Sequence, residues 1–83
     1  MDILIKATDE EKKAVLQAIQ KLGDIKHIKH MSHSMIAESA GILATKVRLV
    51  LADLITDGII NQYPVTQNKK LQRYYYTINK ENE

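Results

Sequence analysis

Three histidines recur at three-residue intervals, His27, His30 and His33. Imidazole nitrogens suit zinc, nickel or iron, so the spacing invites a metal reading. On one continuous helix three residues rotate by about 300°, and the three rings would spread over about 120°. Two of them would then reach one ion. Ser32 opposes this, because a good N-cap at that position breaks such a helix between His30 and His33. No cysteine joins the histidines, since the chain has none, and Asp24 or Glu38 would have to complete the site. The expectation is therefore no metal and no cofactor, with the histidines in a solvated basic loop. Ser32, His33 and Ser34 are neighbours in sequence, which is not the geometry of a catalytic triad. A glycine-rich phosphate loop is absent, and Glu10 and Glu11 are accounted for by a helix start. No enzyme is expected.

The other chemistry lies in the placement of charge. The net charge is +2 over 83 residues, which permits nucleic acid as a partner without demanding it. That average hides an uneven distribution. From Lys46 to Lys80 six basic residues (Lys46, Arg48, Lys69, Lys70, Arg73, Lys80) face two acids, Asp53 and Asp57, a net of +4. Residues 1–24 sum to −1, residues 25–45 to +1 and the last three to −2.

A chain of this length has room for one core and buries only about 60–65% of its unfolded surface. An apolar share of 45% is that of a globular protein. Without cysteine there is no disulfide framework and no zinc finger. No apolar run approaches the roughly 18 residues of a membrane span. Met1-Asp2 opens without a basic n-region or a cleavage site. A cytoplasmic protein is expected.

Three elements with helical periodicity each end near a glycine, Gly23, Gly41 or Gly58, where a left-handed C′ conformation is expected. The first helix is placed at about Asp9 to Leu22, with Thr8 and Glu11 as a capping box and Val15, Ala18, Ile19 and Leu22 as its apolar stripe. Asp24 to Met31 fits a short edge strand or one helical turn. Ser32 caps a second helix from about His33 to Ala40, with Met35, Ile36 and Ala40 inward. The third helix is placed at about Ala44 to Asp57, with Val47, Val50, Leu51 and Leu54 inward. Ile59 to Val65 and Leu71 to Ile78 are β-prone and flank the polar run Thr66 to Lys70, which reads as a hairpin. Pro64 confines the first strand to an edge or shortens it there. Tyr74, Tyr76 and Ile78 are expected to face the core, and Tyr75 to point outward and pack against the wing. Residues 1–7 read as an N-terminal segment, 8–79 as the domain and 80–83 as a polar tail.

This order resembles the winged helix-turn-helix superfamily of DNA-binding domains. Met31 to Ile42 is similar to the first helix of the motif and its turn: an apolar residue, a serine cap, Ile36-Ala37, and then Gly41-Ile42. Lys46 to Ile60 resembles the recognition helix running into the first wing strand, and Arg73 to Ile78 the returning strand. Leu43 departs from the pattern, standing where the family usually has a Ser or Asp cap. The third helix is then weakly capped, unless Thr45 takes that role. The resemblance implies a mainly α fold with a small β-hairpin, a three-helix bundle plus a two- or three-stranded wing. It also implies sequence-specific binding of double-stranded DNA and a role in regulating transcription.

In that reading the outward N-terminal half of the third helix meets the major groove through Thr45, Lys46, Arg48 and Leu49. Arg48 can donate twice to guanine, and Leu49 can touch a thymine methyl. Lys69, Lys70 and Arg73 are expected on the backbone or in the minor groove. Ser32 and Ser34 are expected on phosphate through their hydroxyls and the helix start. The bland alternatives are a solvated surface for Arg48, Lys69 and Lys70, a plain cap for Ser32, and an exposed aliphatic or dimer contact for Leu49. Duplex half-sites are usually read by dimers, so a homodimer through Ile3, Leu4 and Ile5 is the working expectation. No membrane and no small-molecule ligand is expected. The competing reading is a protein-interaction winged helix, an adaptor in a transcription or replication complex, that reads no bases.

Overall fold

A computed structural model describes residues 7–66 and 72–79. Among them run three helices, α1 (Asp9–Gly23), α2 (His33–Ala40) and α3 (Ala44–Thr56), then an antiparallel hairpin of β1 (Ile60–Thr66) and β2 (Gln72–Ile78). The fold is mainly helical with a small β-hairpin, a layout compatible with a winged helix.

The helix starts form as local chemistry dictates. The Glu11 amide donates to Thr8 Oγ1 at 3.1 Å, and the Thr8 amide donates to Glu11 Oε1 at 2.9 Å. This reciprocal pair satisfies two donors that a helix start leaves open. The Met35 amide donates to Ser32 Oγ at 3.1 Å and fixes the first turn of α2. Leu43 occupies the N-cap of α3 and makes no side-chain cap. Thr45 does not replace it, because it already lies inside the helix.

Each helix turns an apolar stripe to one core. Val15, Ile36, Val47, Val50 and Leu54 are fully buried there, with Ile19 nearly so. The hairpin adds Ile60 and Tyr76 from its inner face. Register explains that choice: Ile60 lies opposite Ile78, Gln62 opposite Tyr76, and Pro64 opposite Tyr74. The other face carries Asn61 with Thr77, Tyr63 with Tyr75, and Val65 with Arg73. β1 is paired on one side only, which is where a proline is tolerated.

Four expectations change. Gly23 is not a left-handed cap; positive φ belongs to Gly41 (75°) and Gly58 (73°). Gly23 is instead the last helical residue of α1, and Asp24 is the right-handed C-cap. Tyr75 does not point freely outward. It is half-buried beside the end of α1, where a β-carbon placed on Gly23 would sit 3.5 Å from the Tyr75 hydroxyl. Asp24 to Met31 is neither strand nor helical turn. It holds a turn closed by Ile28 N–H to the Ile25 carbonyl at 3.2 Å, then one bond from the Met31 amide to the Tyr74 carbonyl at 2.7 Å. The hairpin therefore has two strands and, among the described residues, a single backbone hydrogen bond to that segment. Helix boundaries shift by one residue: α1 extends to Gly23, and α3 stops at Thr56 with Asp57 as its C-cap.

The two glycines give opposite expectations. Gly41→Ala meets no atom within 4 Å, so its whole cost is the left-handed backbone; stability should fall by about 1–2 kcal/mol. Gly23→Ala gains a helical residue with ordinary van der Waals space, and stability should rise by about 0.5–1 kcal/mol. Urea unfolding of both variants checks the pair, and equal signs would contradict this geometry.

Candidate nucleic-acid interface

Burying Val47, Val50, Leu51 and Leu54 decides what α3 shows to solvent. Thr45, Arg48, Leu49, Ala52 and Thr56 are all exposed and follow one another at i, i+3, i+4, i+7 and i+11. Leu49 is 39% exposed and Leu43, just before the helix, 72%. Lys46 leaves this stripe. It is half-buried on the flank toward α1, with Nζ 3.8 Å from Glu11 Oε2, a loose pair that salt screens. The Glu11 carboxyl is held below its ordinary 4.5, first by the Thr8 amide, with burial opposing and Lys46 and the Thr8 hydroxyl adding. Glu11 thus serves the start of α1 first and Lys46 second.

A second group of polar side chains meets where α2 begins beside β2. An open cleft of about 430 Å³ is lined by His30, Ser32, Ser34, Gln62, Arg73 and Tyr76, among others. Arg73 Nη1 lies 2.8 Å from His30 Nε2. A guanidinium has no acceptor, so His30 accepts here and its ring proton sits on Nδ1. Arg73 Nε is buried with no hydrogen-bond partner among the described residues. Ser32 is occupied as the cap, while Ser34 is exposed on the first turn. Burial pushes the Tyr76 hydroxyl above its ordinary 10, with Tyr74 adding and a hydrogen bond with Gln62 opposing.

The expected site residues therefore fall into two groups. Thr45, Arg48 and Leu49 share the α3 stripe, with Lys46 turned to its flank. Ser32, Ser34 and Arg73 share the cleft. Lys69 and Lys70 lie outside the described residues, as do Ile3, Leu4 and Ile5. The three histidines do not act together. His27 and His33 are exposed, and His30 is half-buried against Arg73 instead of solvated. Among the described residues no three His, Asp or Glu side chains are grouped to hold a metal ion. None of the described helices is long and apolar enough to cross a membrane.

Sequence reasoning missed His30 as a partner of Arg73 and missed Gln62 altogether. The first pair is 43 residues apart, so no local spacing announces it. For Gln62, strand alternation with Ile60 was a usable signal, since it puts both on one face. Comparisons with protein families, curated proteins and solved structures returned no match.

The His30–Arg73 pair has a direct check. Nitrogen-15 NMR of neutral protein should find the His30 proton on Nδ1. His30→Ala leaves the guanidinium without its acceptor and should lower stability by about 1 kcal/mol in urea, with His30→Gln costing less because its amide oxygen still accepts.

Proposed function

We propose that the chain is a winged helix-turn-helix protein that binds double-stranded DNA sequence-specifically and regulates transcription. In this reading α3 lies in the major groove and the wing, residues 66–73, meets the backbone or the minor groove. The observation that carries it is the α3 stripe. A helix that gives one face to the core leaves Thr45, Arg48 and Leu49 exposed in its leading half, where recognition helices contact base edges. Among the described residues Arg48 has no hydrogen-bond partner, and its guanidinium fork would be presented to guanine O6 and N7. Ser34 and the cleft beside Arg73 stand on the neighbouring helix start, suited to a phosphate that positions the duplex. The net +4 between Lys46 and Lys80 adds the field that counterion release requires. A homodimer through Ile3, Leu4 and Ile5 would pair two such helices on adjacent half-sites.

One observation favours the second reading, a protein-interaction module. Leu43 at 72% and Tyr63 at 50% exposure are large apolar groups on a small surface, and such groups mark protein contacts as readily as DNA contacts.

Selection from random duplexes at low salt separates the two. Arg48→Ala should weaken the selected duplex by about 5- to 150-fold, the equivalent of one lost bidentate base contact. Lys69→Ala with Lys70→Ala should weaken all sequences alike and reduce the salt slope by about 2. Selection that enriches nothing, with bulk DNA not retained, overturns the DNA reading. A protein complex that survives high salt and needs Leu43 or Leu49 but not Arg48 supports the adaptor.

A further inference from the structure

We infer that the exposed face of α3 selects thymine 5-methyl groups lying beside a guanine, with Leu49 as the residue that senses the methyl; this rests on the DNA reading above. The argument is an inventory of what α3 shows in its leading half and its middle. Ala44, Thr45, Arg48, Leu49 and Ala52 are exposed, and Arg48 is the one charged group among them. None of the five is Asn or Gln, the side chains that pair twice with adenine. None is Asp or Glu, which accept from the cytosine amino group. Asp53 is half-buried and off this stripe, and Lys46 is turned toward Glu11.

What remains is one guanidinium among methyl groups. In the major groove thymine alone offers an apolar group, its C5 methyl, and an apolar side chain is the matching contact. Leu49 is the largest apolar side chain on the stripe and follows Arg48 directly. Ala44 and Ala52 end in single methyls, so the helix can approach the groove floor closely around it. Thr45 stands one turn before Leu49 and Ala52 one turn after Arg48. Arg48 and Leu49 are one residue apart, a rise of about 1.5 Å, which is less than one base step of about 3.4 Å. The contacts of Arg48 and Leu49 therefore fall on adjacent or next-adjacent bases. The same geometry leaves adenine and cytosine edges read only by the Thr45 hydroxyl, which accepts and donates without preference.

The test uses the full chain and the duplex enriched by random selection. Each thymine is replaced in turn by deoxyuridine, which removes the methyl and keeps the base pair. Binding should weaken about fourfold at one or two positions within two steps of a guanine, the equivalent of one methyl left unburied. Leu49→Ala should abolish that thymine-over-uracil difference. Arg48→Ala should keep it, while losing sensitivity to 7-deazaguanine, which lacks the N7 acceptor. Leu49 is exposed, so its replacement leaves the core intact, and the base substitutions do not touch the protein at all. A duplex that binds but shows no uracil effect at any position overturns this inference and leaves DNA binding standing. So does a uracil effect that persists undiminished in Leu49→Ala. If selection enriches no duplex, the DNA reading itself falls and takes the inference with it.

Discussion

Among the described residues, the chain between α1 and α2 meets the hairpin at one backbone hydrogen bond, from the Met31 amide to the Tyr74 carbonyl at 2.7 Å. A two-stranded hairpin is marginal by itself in water, so what holds it to the helices decides whether it forms at all. The Met31 side chain is almost wholly buried and enters the same core as Ile60 and Tyr76. Backbone and side chain therefore pull on the same junction. At the far end of the sheet the Asn79 amide donates to the Ile59 carbonyl at 2.8 Å. The two strand ends are thus closed on each other, Ile60 and Tyr76 hold the sheet to the helical core, and the described pairs beyond them, out to Thr66 with Gln72, are carried by strand pairing.

The cleft follows from that junction. His30 precedes Met31 and Arg73 precedes Tyr74. Once Met31 and Tyr74 are joined, the two neighbours come within reach of each other, and the guanidinium finds the imidazole. Ser32 follows Met31 immediately and starts α2, so a helix start is delivered to the same place. α3 is held differently. With no side-chain cap at Leu43, its position rests on the burial of Val47, Val50, Leu51 and Leu54. Helical stability in proteins comes chiefly from such packing. An uncapped start therefore does not displace the helix that carries the exposed stripe.

The features legible in the sequence were those with local causes. The Thr8–Glu11 box, the Ser32 cap, the left-handed Gly41 and the α3 stripe each depend on residues within about one or two turns of helix. Gly23 was misleading for a related reason. A glycine at the end of a helical pattern fits a C′ position as well as a last helical residue. The choice is made by Asp24, which closes the helix with its amide on the Gln20 and Lys21 carbonyls. Tyr75, Met31 and the His30–Arg73 pair were illegible because their partners lie in other elements. Alternation correctly set Tyr75 on the opposite face from Tyr76. It carries no information that the end of α1 comes to cover that face.

Under the proposed DNA reading the two groups of site residues would divide the work of recognition unequally. The leading half of α3 has one exposed cation, Arg48, because Lys46 is turned toward Glu11. A face so poor in charge releases few counterions, and phosphate neutralisation is what supplies sequence-independent affinity. Three of the four remaining basic residues of that half of the chain, Lys69, Lys70 and Arg73, cluster in sequence. Affinity would then come mainly from the hairpin and discrimination mainly from the helix. Salt acts on the first and only weakly on apolar contacts of the second. Raising salt would weaken binding to every duplex while leaving the ratio between good and poor sequences nearly unchanged. A net charge of only +2 is consistent with that arrangement, because the arrangement asks for a local concentration of charge and not for a basic protein.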